Sequence, residues 1–495
     1  MMLRLDASAP IEVTQKIWIM EKLQEIINAV SGWLTDNVLV TVLLVVAVYF
    51  TVVTRGVQFR MFGEMCRLLV RSGSRDNDRR VNDEPHHGAI SSFQAFALSI
   101  ASRVGTGNLA GVAMAIAVGG PGAVFWMWVI ALLGAATAFI ESTLAQLYKV
   151  KGDKSFIGGP AYYISKGLHC RWWAVLFAVL ITLTFGFAFN TVQSNTIASA
   201  LHASFGIDQV WTAIALTALT LLIIWGGVQR ISRFSQWVVP FMAVAYIVLA
   251  LVIIIMNISR LPEVFKLIVE NAFGFNEVMG GAMGSALVMG VKRGLFSNEA
   301  GEGSTPNAAA TASVSHPVKQ GLIQALGVYT DTLLVCSATA FIILCSSIYA
   351  SGEHDGIVLT QRAIDAGLGG GTTIGSTFVS IAILFFAFTS IVANYYYGEA
   401  NIRFIRDNEL LINVYRLLVG VIVYLGGVMS LDLVWGFADI TMAAMTLCNI
   451  AAILALGKYA LILLRDYRAQ RRAGHDPVYG ATTIPTIAKD TTCWQ

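Results

Sequence analysis

Charged residues are scarce in this chain. Asp, Glu, Lys and Arg make up 13% of its 495 residues, whereas hydrophobic residues make up 56%. So few charges cannot cover the surface of a water-soluble protein of this length. Apolar runs of about 20 residues recur along the sequence, each long enough to cross a bilayer as a helix. Because these runs are continuous and not alternating, the sequence predicts an all-α polytopic membrane protein and not a β-barrel.

Metal-binding and catalytic motifs are also lacking. The six cysteines form no CxxC pair, and we interpret them as apolar filler or loop thiols. The seven histidines fall in predicted loops or tails without an HExxH motif, and His86 and His87 are interpreted as part of a solvated linker. The net charge of +3 is spread over loops and forms no basic domain. We therefore expect no enzyme activity, no cofactor, no nucleic-acid partner and no obligatory protein partner.

Eleven apolar segments are predicted to span the membrane, and they fall into an unequal arrangement of one plus five plus five. The predicted spans are 36–54, then about 88–118, 121–149, 172–200, 209–228 and 233–256, then about 280–314, 319–349, 374–397, 409–428 and 431–464. The predicted division is an amphipathic lead-in at 1–35, an extra helix at 36–54, a basic linker at 55–87, a first group at 88–256, a loop at 257–279, a second group at 280–465 and a tail at 466–495.

Lys and Arg are concentrated in alternate loops. They crowd 55–87 and 149–171, whereas 201–208 has none and 350–373 has one. Such a bias marks the cytoplasmic side of a membrane protein, so we expect the N-terminus outside and the tail in the cytoplasm. Because each group of five has an odd number of spans, the second group begins on the side opposite to the first. This is the inverted repeat found in many transporters.

The first span of each group is interrupted by glycine and polar residues. The stretch SRVGTGNLAG (102–111) interrupts one, and GLFSNEAGEGS (294–304) interrupts the other. Gly105 and Gly107 let the chain leave helical geometry without a Cβ clash. The backbone N–H and C=O groups freed by a break must line an enclosed cavity, because they are too costly in lipid. Close helix packing through glycine is the alternative, and two breaks at matching positions make it the weaker one.

The chemistry of the freed backbone N–H and C=O groups indicates which solutes bind there. Loose N–H groups at the start of a half-helix attract a carboxylate, and loose carbonyl oxygens at the end of a half-helix attract a cation. A zwitterion bound together with a small cation satisfies both. The sequence therefore predicts that the two breaks form a shared site for these two solutes.

Polar side chains in two further spans are candidates to complete this site. Asn190 and Gln193 are three residues apart and share a helix face, and we predict that Gln193 contacts the substrate; hydrogen bonds between helices are the alternative. Thr389 and Ser390 are adjacent hydroxyls in another span, and with backbone carbonyls they would form an all-oxygen shell suited to a monovalent ion. Hydrogen bonds to their own helix are the alternative for this pair.

Ionisable residues at membrane depth are candidates for gating or function. Arg103 is predicted to pair with an unidentified acid that closes a gate, and Glu141 to hydrogen-bond the loosened backbone of a broken helix. No role is predicted for Asp331. The other ionisable residues at this depth are Lys292, Arg293 and Glu299.

Several motifs together resemble those of the alanine-or-glycine:cation symporter family, which are sodium-coupled amino-acid carriers of bacteria and archaea. They are GPAYYI (159–164), SRVGTGNLAG, FNTVQSNT (189–196), RGLFSNEAGEGS (293–304), FAFTS (386–390) and NYYYGE (394–399), and the resemblance covers nearly all of 36–465. It implies the leucine-transporter fold, with a five-plus-five inverted repeat, one extra N-terminal helix, and substrate held between core helices 1, 3, 6 and 8.

The resemblance also implies a role for individual residues. The substrate carboxylate would bind the backbone amides of Thr106 and Gly107, and the rest of the substrate pocket would comprise Gln193, Phe296, Asn298 and Glu299. The sodium ion would bind the carbonyls of Ala101 and Val104 and the hydroxyls of Thr389 and Ser390, and Asn108 would contact a second ion. The sequence departs from the family pattern at Glu302 and Thr305, where smaller or apolar residues are expected, which leaves the restart of the second broken helix open.

The leading hypothesis is a secondary transporter of the bacterial cytoplasmic membrane that couples sodium entry to uptake of a small neutral amino acid by alternating access. Alanine and glycine are the preferred substrates on this hypothesis, and serine and glutamine stay open. Proton coupling in the same fold is one alternative. An ion channel is another, but it would need a continuous polar stripe, whereas the polar residues of this chain form local clusters.

Overall fold

The computed structural model describes residues 29–72, 90–152, 155–274, 281–346, 348–351, 356–370 and 373–494, together with Lys22, Glu25 and Ile27. Most of the predicted lead-in, and the second half of the basic linker with His86 and His87, lie outside these residues. The described part is almost entirely helical, as the composition predicts.

The helices follow the predicted apolar segments, with several additions. In chain order they are α1 (Ala29–Val53), α2 (Val57–Arg60), α3 (Phe62–Ser72), α4 (Ser92–Arg103), α5 (Gly107–Gly119), α6 (Gly122–Leu147), α7 (Pro160–Gly167), α8 (Arg171–Phe205), α9 (Gln209–Ile224), α10 (Gly227–Met256), α11 (Leu261–Ala272), α12 (Gly281–Asn298), α13 (Thr305–Ala310), α14 (Pro317–Ser346), α15 (Gly356–Gly367), α16 (Ile374–Ile405), α17 (Glu409–Val428) and α18 (Leu431–Arg472). A hairpin of β1 (Val150–Lys151) and β2 (Phe156–Ile157) joins α6 to α7.

Eight helices of the described part are long and apolar enough to cross a membrane, namely α1, α6, α8, α10, α14, α16, α17 and α18. The interrupted pairs α4–α5 and α12–α13 and the shorter α9 lie at the three remaining predicted spans. Both predicted interruptions are therefore real breaks in helices. The number of membrane crossings, eleven, stays a prediction.

Several helix boundaries differ from those predicted. The helix α1 already includes Ala29, α18 continues to Arg472, and α13 ends at Ala310 after only six residues. The extension of α18 has a packing reason, because Tyr467 is fully buried and its hydroxyl donates to Glu64 Oε1 of α3 at 2.7 Å. The first part of the basic linker is thus a helix packed on the bundle.

Two predicted loops contain helices that lie across one end of the bundle. Trp126 Nε1 of α6 donates a hydrogen bond to Ala272 O at the end of α11, at 3.2 Å. In α15, Thr360 Oγ1 donates to Leu109 O at 3.1 Å, and Gln361 Nε2 donates to Ala200 O at 3.1 Å. These contacts tie α15 to α5 and to the end of α8. We call the end of the bundle that the C-terminal tail covers the tail side. Both loop helices lie at the opposite end.

The extra helix α1 is attached to α6. Gln58 Nε2, just after α1, donates to Thr51 Oγ1 at 2.9 Å and to Leu132 O of α6 at 3.3 Å. The opposite face of α1 is apolar and exposed, with Val45 at 62% and Val52 at 67%. One side of α1 thus packs on the bundle and the other is suited to lipid.

The tail after α18 folds back over the tail side. Tyr479 N donates to Ser315 O at 2.9 Å, and Asp476 pairs with Lys319 at 3.0 Å. Further on, Trp494 Nε1 donates to Gln146 O at 3.1 Å at the end of α6. The tail therefore covers the ends of α6 and α13 and the start of α14.

His316 caps the first turn of α14 on this side. Its Nδ1 accepts a hydrogen bond from Val318 N at 3.2 Å, and its Nε2 lies 3.2 Å from Asp466 Oδ2. Burial lowers the pKa of the His316 imidazole, while the hydrogen bond to Asp466 acts in the opposite direction. A neutral ring with its proton on Nε2 satisfies both contacts.

Candidate functional site

The first break lies between α4 and α5 and covers residues 104–106. A capping box starts α4, in which Gln94 N donates to Ser91 Oγ and Ser91 N donates to Gln94 Oε1. The helix ends at Arg103, because Val104 adopts an extended conformation with φ −82° and ψ 93°. Glycine is needed next, since a Cβ on Gly105 would lie 2.9 Å from Gln193 Oε1 and against the Ser390 hydroxyl.

Of the four residues predicted to bind sodium, Ala101, Val104 and Ser390 lie together at the end of α4, whereas the Thr389 hydroxyl bonds its own helix. Ser390 Oγ donates to Ala101 O at 2.8 Å and lies 3.5 Å from Val104 O. Thr389 Oγ1 donates to Phe386 O of its own helix at 2.8 Å. All of these oxygens are buried. Neutral hydroxyl and carbonyl oxygens of this kind suit a hard monovalent cation.

The loosened amide at the start of α5 meets Gln193 of α8. Thr106 N donates to Gln193 Oε1 at 3.0 Å, and Thr106 Oγ1 donates to the same oxygen at 2.8 Å. The carboxamide oxygen thus occupies the position in which a carboxylate oxygen would accept both hydrogen bonds. Gly107 is close to the second broken helix, since a Cβ there would lie 3.0 Å from Phe296 Cδ1.

Three aromatic rings pack beside this point. The Phe296 ring centroid lies 4.5 Å from that of Phe189 and 4.7 Å from that of Trp435. Phe296 was predicted to line the pocket, whereas Phe189 and Trp435 were not. Phe189 directly precedes Asn190 in a motif that the sequence singles out, but Trp435 lies in a helix whose apolar pattern gives no such signal. The three rings thus form an apolar cluster beside the break.

Asn108 and Asp331 join the two broken helices. Asn108 Nδ2 donates to Asp331 Oδ1 at 2.5 Å and to Ser297 Oγ at 3.0 Å, and Ser297 Oγ donates to Asp331 Oδ2 at 2.7 Å. Asn108 Oδ1 accepts a hydrogen bond from Gly105 N at 2.9 Å. Asp331, for which the sequence predicts no role, therefore binds residues of both α5 and α12 from a π-helical turn of α14.

The second break lies between α12 and α13 and covers residues 299–304. Asn298 Nδ2 donates to Thr332 Oγ1 at 3.2 Å, and its Oδ1 accepts from Ala300 N at 3.0 Å. Glu299, which has a positive φ of 56°, accepts hydrogen bonds from Ser102 Oγ at 2.6 Å and Ser304 Oγ at 2.5 Å. Of the predicted substrate residues around this break, Phe296 lies at the aromatic cluster, Asn298 contacts the middle of α14, and Glu299 contacts the end of α4 and the residue before α13.

Glu141 of α6 binds the backbone of the second break, which is the contact expected from the sequence. Its Oε1 accepts from Gly301 N and its Oε2 from Gly303 N, both at 3.1 Å. Asn449 Nδ2 donates to Oε2 at 2.9 Å. Both glycines have positive φ, 94° at Gly301 and 84° at Gly303, which an L side chain rarely adopts.

Arg103 is buried at the end of α4 but does not form the predicted pair with an acid. Its Nη1 donates to Gln324 O at 3.2 Å and its Nη2 to Thr305 Oγ1 at 3.2 Å. No carboxylate among the described residues lies within 4.0 Å of its nitrogens. These neutral acceptors on α14 and α13 hold the guanidinium instead. The restart of the second helix, open in the sequence, is at Thr305.

Ion pairs cover the aromatic cluster on the side away from the tail. Asp439 pairs with Arg293 at 3.1 Å and with Lys292 at 2.8 Å, and Lys292 also lies 3.5 Å from Asp36 of α1. The Arg293 guanidinium lies 4.2 Å from the Trp435 ring centroid. The two basic residues thus share Asp439, which sequence analysis missed, and Asp36 is the second acid beside Lys292. The ion pairs of Asp439 lie between the aromatic cluster and the end of the bundle opposite to the tail.

Fold and site together define a helical membrane transporter with the leucine-transporter fold. The structure is similar to the crystal structure of MhsT in complex with L-phenylalanine, with a TM-score of 0.53, 15% identity, and coverage of 81% of this chain and 93% of that one. It is also similar to a manganese transporter of Eremococcus coleocola, with a TM-score of 0.52, 14% identity, and coverage of 81% and 84%. At these identities the similarity shows the fold alone.

The chain belongs to the sodium:alanine symporter family, whose model matches residues 20–481. It is 49% identical to the probable sodium/glutamine symporter GlnT of Bacillus subtilis over 92% of this chain and 93% of that protein. It is 49% identical to the amino-acid carrier protein AlsT of the same organism, over 92% and 94%. It is 39% identical to the sodium/proton-dependent alanine carrier protein of Bacillus sp. PS3, over 79% and 91%.

Family membership confirms the resemblance read from the motifs. The chain is an amino-acid:cation symporter and a multi-pass membrane protein, and its relatives are transporters and not enzymes.

Proposed function

We propose that this protein couples sodium entry to uptake of alanine or glycine by alternating access, with both solutes bound at the first break. The observation that carries the proposal is the pairing of opposite chemistries across residues 104–106. The carbonyls of Ala101 and Val104 face the Ser390 hydroxyl, and the amide and hydroxyl of Thr106 face the Gln193 carboxamide. An ion and a carboxylate would then bind within a few residues of each other, and each would favour binding of the other.

The substrate carboxylate would replace Gln193 Oε1 as the acceptor for Thr106, and the amide nitrogen of Gln193 would be free to donate to it. We infer that the rings of Phe189, Phe296 and Trp435, which pack on one another beside the break, restrict the substrate to a small side chain. This size limit supports alanine and glycine over glutamine, which appears in the name of one relative. Competition by glutamine, serine and glycine against uptake of labelled alanine tests this order of substrate preference.

The orientation of the carrier in the membrane would follow from the loop charges. The basic loops and the tail would face the cytoplasm of a bacterial inner membrane, so the Asp439 ion pairs would form the outer barrier and the tail side the inner one. Binding of both solutes drives closure only if they bind the closed form more tightly than the open form.

Sodium-driven uptake of labelled alanine into proteoliposomes tests the proposal. We expect the Thr389→Ala substitution to shift sodium activation to higher concentration, with little change in substrate preference. We expect Gln193→Ala to raise the apparent KM for alanine, with little change in sodium activation. Unchanged sodium activation in both Thr389→Ala and Ser390→Ala proteins would contradict the ion assignment.

Proton coupling is the second candidate, because one relative is named a sodium/proton-dependent carrier. Uptake measured at fixed pH, with and without sodium, separates the two. Counterflow separates a carrier from a channel, since only a carrier is accelerated by substrate on the opposite side. If substrate on the opposite side did not accelerate uptake by the wild-type protein, alternating access would be contradicted.

A further inference from the structure

Three buried glutamates lie around the second break, and among the residues that the structure describes Arg103 is the one buried cation that acts on them. Glu141, Glu299 and Glu302 are each at most 1% exposed, as is Arg103. The charged groups that act electrostatically on Glu302 are Glu299 in its own loop, Glu141 of α6 and Arg103 of α4. If all three acids were ionised, a single guanidinium would have to balance three buried carboxylates.

Two of the three carboxylates are supplied with donors. Glu141 receives hydrogen bonds from two backbone amides and from Asn449, and Glu299 receives them from the hydroxyls of Ser102 and Ser304. Bonds of this kind stabilise the ionised form of a carboxyl. These two groups are therefore suited to carry the negative charge that Arg103 partly balances.

Glu302 has none of this support. Neither of its carboxyl oxygens has a hydrogen-bond partner among the described residues, although the side chain is fully buried. A buried ionised carboxylate without partners takes up a proton instead of remaining charged. With Glu302 neutral, the cluster holds two carboxylates and one guanidinium; with Glu302 ionised, it gains a further uncompensated charge.

A proton fits this position better than a metal ion. A cation would need several converging oxygens with free lone pairs, and the neighbouring carboxylates already accept bonds from amides and hydroxyls. The described residues contain no group of three His, Cys, Asp or Glu side chains arranged to hold a metal. A proton needs only the one carboxyl.

We propose that Glu302 is a proton-binding site of this carrier, occupied in the conformation seen here and emptied when the second break opens to the tail side. Glu302 lies in the loop that leads to α13, the short helix at the tail side, so opening there brings water to its carboxyl. The protonated acid then ionises and releases its proton to that water, and the carboxylate takes up a proton again before closure. The proposal rests on the proposed symport function.

Alanine exchange at saturating sodium tests it, because exchange needs only that the closed state can form. We expect wild-type exchange to fall about tenfold as the pH is raised from mildly acidic to mildly alkaline, since the closed state requires the neutral acid. Glu302→Gln protein, in which a neutral side chain replaces the neutral acid, is expected to exchange at the wild-type low-pH rate throughout. Glu263→Gln, an exposed change on α11, is the matched control and should keep the wild-type profile.

Every other result overturns the proposal. A Glu302→Gln protein that keeps the wild-type pH profile has not lost the proton site. A Glu302→Gln protein that folds but does not exchange shows that a neutral amide cannot replace the acid, which contradicts the proposal. A shift in sodium activation with an unchanged pH profile would assign Glu302 to a cation.

Infrared spectroscopy gives a second readout that does not depend on transport. A protonated carboxyl absorbs apart from carboxylates, and we expect a band at neutral pH that is absent in Glu302→Gln and present in Glu263→Gln protein. If the wild type showed no sodium-dependent alanine uptake at any pH, the proposed function would fail, while this band would still decide the state of Glu302. Absence of the band in the wild type would overturn the proton site alone.

Discussion

The two broken helices differ in what satisfies their loosened backbone. The first break covers three residues, 104–106, and its groups meet the side chains of Ser390 and Gln193 on other helices. The second covers six residues, 299–304, and its amides are bound by the carboxylate of Glu141. The partners of the first break are neutral and can be exchanged for solutes. The partner of the second is a charged group that binds its amides strongly.

This difference separates binding from anchoring. At the first break, a carboxylate or a cation can take over a hydrogen bond without leaving a buried charge behind. At the second break, displacing Glu141 would leave a buried carboxylate and at least two buried amides unsatisfied. The first break is therefore suited to bind solutes, whereas at the second break Glu141 is suited to hold the loop after α12 on α6 and, through Asn449, on α18.

The largest expected effect is that of removing the Glu141 carboxyl group, which binds the amides of the second break. In Glu141→Ala protein the amides of Gly301 and Gly303 lose their acceptor. At roughly 1–3 kcal/mol for each unsatisfied buried amide, the loss of stability is roughly 2–6 kcal/mol. Thermal unfolding of the purified protein measures it, with the exposed Glu263→Ala change as a control. An unfolding midpoint equal to that of the control would show that the two breaks do not differ in this way.

A smaller effect, on affinity, is expected at the first break. In Gly105→Ala protein the added methyl group would lie against Gln193 and Ser390. We expect the apparent affinities for alanine and sodium each to fall by roughly tenfold, which corresponds to about 1.4 kcal/mol. The unfolding midpoint should change little. Binding titrations measure the affinities, and Gly63→Ala, where an added Cβ meets nothing within 4 Å, is the control.

The smallest expected effect on binding comes from the matching glycine substitution at the second break. Gly301 has φ 94°, so Gly301→Ala should cost about 1–2 kcal/mol of stability through backbone strain. Affinity for alanine and sodium should stay near that of the wild type. If Gly301→Ala weakened binding as much as Gly105→Ala does, both breaks would belong to the binding site and the distinction between them would be wrong.

The sequence predicts the features that are local in the chain. Both breaks follow from glycine and polar residues inside apolar runs, and the fold class follows from span length and number. Ser390 could be predicted to meet Ala101 and Val104 only through the family resemblance, because 289 residues separate Ser390 from Ala101.

Contacts between distant residues without a motif could not be predicted. Asp331 is a single acid in an apolar helix, and nothing near it in the chain points to Asn108, 223 residues away. Trp435 is part of an apolar pattern that lipid-facing and pocket-facing residues share. The helices α11 and α15 lie in predicted loops because amphipathic segments of about 12 residues are too short to register as spans.

The attachment of α1 to α6 has a consequence for the surrounding lipid. Gln58 and Thr51 hydrogen-bond to the backbone of α6, so a rotation of α6 carries α1 with it. Because the outer face of α1 exposes Val45 and Val52, that rotation drags an apolar surface through the acyl chains. If α6 turns during transport, membrane thickness and fluidity would contribute to the work of that movement through the lipid-facing side of α1.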